Sequence, residues 1–264
     1  MRAKLIYVAL FAVFFLPAFV VQWPAAWFQV KLEQANGGQW MVSGAEGTIW
    51  DGKATLLMAE RGSSSGNKID NGRWRVVQNF RWKLRWNELW QGRLAFETVL
   101  EQGGVVIMIS MRGVALEKLD TQLPASVLSG VFSGPIGRYG WMGVLQARSP
   151  AFKCAWHGAA CEGELELLWK DAGVSEIPGP ALGSYRSRIV GEGQTVHFDF
   201  TTIEGRLEIT GTGDMDAGGL RFIGEASATG IDAGRLEAQL RTLGRPAGAA
   251  GKYVLEYRES TASR

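Results

Sequence analysis

The chain has 264 residues, with 28 Lys and Arg against 26 Asp and Glu for a net charge of +2. That length suffices for one large domain or two small ones, and the balance excludes an acidic tail or a histone-like wrapper. Hydrophobic residues at 46% and charged residues at 20% exclude wholesale disorder.

Glycine is abundant at 35 residues, with no collagen period and only 8 prolines, and there are 11 tryptophans. Such a composition suits many short strands joined by tight turns.

From the amino terminus, Leu5 to Val21 (LIYVALFAVFFLPAFVV) carries no charge. A helix over this run is ~26 Å long, close to the hydrocarbon thickness of a bilayer. Arg2 and Lys4 precede it and the next basic residue is Lys31, so the positive-inside rule keeps the amino terminus cytoplasmic. Trp23 and Trp27 stand where an interfacial aromatic belt would mark the far side. A cleaved secretory signal is the rival, but its shorter apolar core is followed by a small-x-small site, whereas bulky Gln22-Trp23-Pro24 follows here. The expectation is an uncleaved single-pass anchor over residues 1–27, with the remainder outside the cytoplasm.

Beyond residue 30 the dominant period is two. Phe80-Arg81-Trp82-Lys83-Leu84-Arg85-Trp86 alternates aromatic or aliphatic residues with cations, and Thr195 to Ile203 alternates in the same way. Val105 to Met111 is an apolar run suited to a strand covered on both faces. Helical candidates are Val114 to Leu119, which is too short to weigh much, and Gly234 to Leu243, which Gly244 and Pro246 would end.

Trp50-Asp51-Gly52-Lys53-Ala54-Thr55-Leu56 recurs forty residues later as Trp90-Gln91-Gly92-Arg93-Leu94-Ala95-Phe96, with weaker copies at residues 161–167 and 203–209. A glycine leading into an alternating strand is the shared unit, and Trp50 and Trp90 are expected to anchor its corners. The predicted class is mainly β. An elongated or rolled antiparallel sheet follows the anchor, with a first half over 28–135 and a second over 136–264 joined near Ser129 to Gly140.

Chemistry-bearing patterns are sparse. There are two histidines, and His197 falls on the polar face of an alternating strand. His157 lies between Cys154 and Cys161. In an exported region that pair reads better as a local disulfide than as free thiols or three zinc ligands, because structural zinc takes four. No nucleophile elbow, P-loop or metalloprotease helix is present, so no catalytic residue, cofactor or small-molecule substrate is expected. Gly211-Thr212-Gly213-Asp214-Met215-Asp216 occurs once, without the tandem copies of a calcium roll, and reads as a hairpin loop. Arg73 to Arg93 interleaves six cations with Trp74, Trp82, Trp86 and Trp90. The favoured reading is a strand with solvated cations, and a membrane-facing or partner-facing role is the rival. Export argues against nucleic acid.

Gly44-Ala45-Glu46-Gly47-Thr48-Ile49-Trp50-Asp51-Gly52 resembles the early Gly-Thr-(Val/Leu/Ile)-Trp-x-Gly signature of type II secretion system protein N, the GspN family. Gly163 through Trp169 to Ala172, with Leu182-Gly183-Ser184-Tyr185, is similar to its second-half segment. Leu240-Arg241-Thr242-Leu243-Gly244 with Gly251-Lys252-Tyr253 is similar to its closing motifs. The Cys154–Cys161 pair and the basic tryptophan-rich segment depart from the family pattern. The resemblance implies a non-enzymatic inner-membrane accessory of the secretion machinery that docks other components and helps move folded proteins from periplasm across the outer membrane. A membrane-anchored β-groove that carries or bridges lipid is the alternative, and a cell-envelope hydrolase ranks behind it.

Overall fold

The computed structural model describes residues 22–26, 40–59, 74–131, 139–156, 160–177, 179–230 and 232–260. The expected anchor residues Leu5 and Val21, the belt residue Trp27, and His157 lie outside the described residues. Among the described residues no helix is long and apolar enough to cross a membrane.

The described chain is dominated by strands. In order they are β1 (Trp40–Gly47), β2 (Asp51–Ala59), β3 (Trp74–Leu84), β4 (Arg93–Leu100), β5 (Gly103–Ser110), β6 (Gly113–Pro124) and β7 (Trp141–Ala155). There follow β8 (Cys161–Val174), β9 (Gly183–Gly193), β10 (Thr195–Gly205), β11 (Leu207–Asp216), β12 (Gly219–Ala228), β13 (Arg245–Pro246) and β14 (Lys252–Ser260). Their hydrogen-bonded order runs from β1 through β12 in sequence, then β14 and β13. The chain forms two compact units. One holds residues up to Leu84 together with Thr98–Glu101, and the other holds Arg85–Glu97 and everything from Gln102 onward.

The first unit pairs β1 with β2 and β2 with β3, antiparallel in both cases. Alternation in β3 sorts its side chains as the sequence predicts. Phe80 and Trp82 are half-buried with ring centroids 5.5 Å apart and Leu84 is buried, while Arg81 and Lys83 are exposed.

The second unit runs through antiparallel neighbours from β5 to β12, then β14. Because side chains alternate across a pleated sheet, register assigns each of its faces a composition. On one face Leu165, Ile189, Phe198, Gly213, Phe222 and Tyr257 form a cross-strand row. On the other, Glu166, Arg188, Asp199, Thr212, Ile223 and Glu256 align.

The apolar face carries a continuous chain of ring contacts. It runs from Tyr139 to Trp141, Trp169, Tyr185, Phe200, Phe222 and Phe198, with centroids 5.2–6.4 Å apart. The Phe198 ring lies across Gly213, where a Cβ would approach it to 2.2 Å, so the glycine gives the ring room to lie down.

A helix of eleven residues, α1 (Ala233–Leu243), covers an end of the apolar face. Its Leu236 packs with Val174 and Leu182, and its Leu240 with Ala226 and Tyr253. Gly244 closes it, as the sequence suggested, with an extended backbone (φ −136°, ψ 177°). A Cβ there would meet the Val254 carbonyl oxygen at 2.6 Å, so close approach to β14 explains the residue.

Three local expectations are corrected. Val114 to Leu119 is strand, since pairing with β5 on one side and β7 on the other overrides a weak local helical pattern. In the apolar run from Val105, the first two valines are buried, but Met111 leaves the strand at a turn and is 95% exposed. Trp90 anchors no corner: it ends a single helical turn (Trp86–Leu89) and is 92% exposed.

Candidate functional site

The Gly47–Gly52 signature is the turn between β1 and β2, where these two glycines are cross-strand partners. Gly47 adopts φ +89°, a conformation that L side chains rarely take, and a Cβ there would meet the Asp51 carbonyl oxygen at 2.5 Å. The Thr48 hydroxyl accepts from the backbone N–H groups of Trp50 (3.3 Å) and Asp51 (3.2 Å), holding the turn from inside. The Trp50 side chain is half-buried, and its carbonyl accepts from the Leu84 N–H at 2.6 Å.

The same turn holds the segment that follows the apolar amino-terminal run. Pro24 bridges Thr48, the Ile49 N–H donates to the Trp23 carbonyl at 3.0 Å, and the Ala25 N–H donates to the Gly47 carbonyl at 3.2 Å. Ala25 is 1% exposed and Trp23 is half-buried. Its burial against the turn was not readable from spacing, which offers only an aromatic after an apolar run.

The second copy of the repeat differs. Gly92 has φ +71° with open space where a Cβ would stand, whereas Gly52 is covered by the Trp82 ring. The letters recur without the environment.

Cys154 and Cys161 are direct cross-strand partners in β7 and β8, joined by a disulfide with Cα atoms 4.1 Å apart. Beyond Cys154 the exposed Trp156 donates through its indole N–H to the Ser110 carbonyl at 2.8 Å, and through its backbone N–H to the Arg112 carbonyl at 3.2 Å. The hairpin tip is therefore tied to the β5–β6 turn.

The charged face of the second unit is laced by ion pairs: Arg188 with Glu164 (2.6 Å), Arg186 with Glu166 (3.2 Å), Arg148 with Asp120 (3.3 Å) and Lys252 with Glu225 (3.6 Å). The Arg188 hydrogen bond holds the Glu164 carboxyl below its ordinary range. His197 pairs with Asp214 on this face. These contacts pair the carboxylates of Asp120, Glu164 and Glu166 with arginines around an open pocket that Leu119, Ser149 and Pro150 also line. Among the described residues no cluster of three His, Cys, Asp or Glu is placed to hold a metal.

The expected basic segment proves to be β3 continued by the helical turn and the start of β4. Arg85 pairs with Glu97 at 3.3 Å and Arg93 with Glu88 at 3.0 Å, so part of its charge is neutralised within the fold.

Tyr185 is strongly perturbed. Burial pushes its hydroxyl far above the ordinary range, and that hydroxyl donates to the Leu207 carbonyl at 2.9 Å. This is a structural bond beneath the aromatic chain.

Strand edges are the other surface with chemistry to offer. β13 pairs with β14 only at Tyr253 and Val254 and ends the strand order. Among the described residues, the outward edge of β14 from Leu255 to Ser260 carries no strand. A strand next to the end of a sheet's order can accept an added strand.

No curated protein and no solved structure matches the chain. The family described as type II secretion system (T2SS), protein N, matches residues 38–256, from just before β1 into β14. The chain belongs to the type II secretion system protein N family.

Proposed function

We propose that the chain is an inner-membrane accessory of type II secretion. In this reading residues 5–21 anchor it with the amino terminus cytoplasmic, and the β body lies in the periplasm and docks other secretion components. It thereby helps folded proteins leave across the outer membrane, without a catalytic step. The family match carries the reading, because it covers almost the whole β body. The place of β14 beside the end of the strand order, paired with β13 only at Tyr253 and Val254, supports docking by strand addition. A photo-crosslinking side chain placed in turn at positions 255–258 of the full-length protein in native membranes tests this. Crosslinks to other secretion components are expected, and crosslinks to lipid alone contradict it.

A second reading, the lipid carrier, is favoured by one observation. The row Leu165, Ile189, Phe198, Phe222 and Tyr257 keeps partly exposed apolar side chains on one face, and α1 packs instead around Ala226, Tyr253, Val174 and Leu182. It predicts phospholipid bound in stoichiometric amount after detergent extraction.

A further inference from the structure

Three neighbouring cross-strand rows on one face of the second unit hold no charged residue. The row from Leu165 to Tyr257 is flanked by the row from Leu167 to Leu255 on one side and by that from Gly163 to Leu220 on the other. Leu165, Ile189, Phe198, Phe200 and Phe222 are only half-buried there, and Met215 is 48% exposed. Helix α1 packs one row further along, around Ala226 and Tyr253. An antiparallel sheet can leave its polar face in water, but its apolar face is stable only against another layer.

The relief of these rows is low. Glycines at 211, 213 and 224 would leave a trough between the phenylalanines, but the rings fill it. The Phe198 ring lies across Gly213, and the tip of the Phe222 ring stands 2.7 Å from where a Cβ of Gly211 would be and 2.9 Å from that of Gly224. The planes of Phe198 and Phe222 lie within 6° of each other. A trough between raised side chains would suit an acyl chain, whereas a low apolar face suits a second sheet packed about 10 Å away.

We propose that two copies of this chain pair face to face through these rows, each second-unit sheet covering the other. A two-fold contact sets a surface against its own image, so any charge on it meets a like charge. These rows satisfy that condition, and the opposite face, with Glu164, Glu166, Arg186 and Arg188, does not. The area also suffices. Three rows across six strands cover roughly 550 Å² of face, or about 1,100 Å² for two copies, above the ~1,000 Å² that marks a specific interface. Pairing through this face and docking at β14 use a face and an edge, so either can fail alone.

The test uses the full-length protein in native membranes, made in cells that produce two copies with different affinity tags. The photo-crosslinking residue benzoylphenylalanine is placed at position 215 or 222 on the apolar face, or at exposed Thr212 on the charged face. The expected result is a crosslinked product carrying both tags from 215 and 222, and none from 212. Crosslinks from 215 and 222 to lipid overturn the pairing and favour the lipid carrier. Crosslinks there to another protein or within one copy, no crosslink at all, or equal yields of the doubly tagged product from 212, overturn it too. Sedimentation of the purified full-length protein in detergent gives a second readout, with circular dichroism reporting that each variant is folded. Met215→Glu is expected to reduce the particle from two chains to one, and Thr212→Glu to leave two. A single chain before substitution, or two chains after Met215→Glu, would contradict the pairing.

Discussion

The Trp82 indole lies across Gly52, its cross-strand partner, and donates its N–H to the Ile49 carbonyl at 3.1 Å. A Cβ at position 52 would stand 2.5 Å from that ring and 2.7 Å from the Glu46 carbonyl oxygen. Gly52→Ala is therefore expected to cost about 1–3 kcal/mol, as overpacking does. Thermal unfolding of the variant checks this, and an unchanged midpoint would show that the ring moves away freely.

Trp90 and Trp50 share a sequence context but not an environment. Trp90→Ala is expected to shift stability by less than about 0.5 kcal/mol, as exposed substitutions do. Trp50→Ala removes a half-buried indole and is expected to cost about 1–3 kcal/mol. Denaturant unfolding of the two variants, side by side, gives the comparison. Equal losses would contradict the assignment.

Tyr185 ties the aromatic chain to β11 through its bond to the Leu207 carbonyl. Replacing it by Phe leaves that acceptor without its donor, for an expected loss of about 1–3 kcal/mol near neutral pH. Burial raises the hydroxyl above its unfolded value of 10.0. The unfolded chain therefore releases this proton first, and the stability the group contributes is intact below about pH 10 and lost as pH rises beyond it. Tyr185→Phe should flatten that alkaline decline in unfolding midpoints measured between neutral pH and about pH 11. A decline of equal steepness in both proteins would assign it to other groups.

The alternating strands were legible because register and burial follow the period of two. Val196, Phe198 and Phe200 turn inward while His197, Asp199 and Thr201 face outward. Helix α1 was legible from Leu236, Leu240 and Leu243, although Leu243 is 61% exposed. Three things were not. Position in a turn decides the fate of Met111 and Trp90, and local composition does not encode where a strand ends. The seat of Trp23 on the signature turn depends on a contact between residues far apart in sequence. The division of faces in the second unit needs the register of many strands at once, and each hairpin or bulge can reset that register.

The Cys154–Cys161 disulfide closes a short loop, with a sequence separation of 7. Chain-entropy arguments give it about 2–3 kcal/mol. The Cys154→Ser/Cys161→Ser double variant should unfold at lower temperature by a corresponding margin. Addition of a reductant should lower the midpoint of the unchanged protein and leave that of the variant where it is. A reductant without effect on the unchanged protein would contradict a bond that stabilises this hairpin.

The central claim is that the β body serves secretion by docking other components of the machinery. Crosslinking of the full-length protein in native membranes, followed by its purification and analysis of proteins and lipids together, tests it most directly. The account predicts recovery of other type II secretion components, with crosslinks mapping to strand edges such as β14. Stoichiometric phospholipid or glycolipid without such partners would contradict it and favour the lipid carrier.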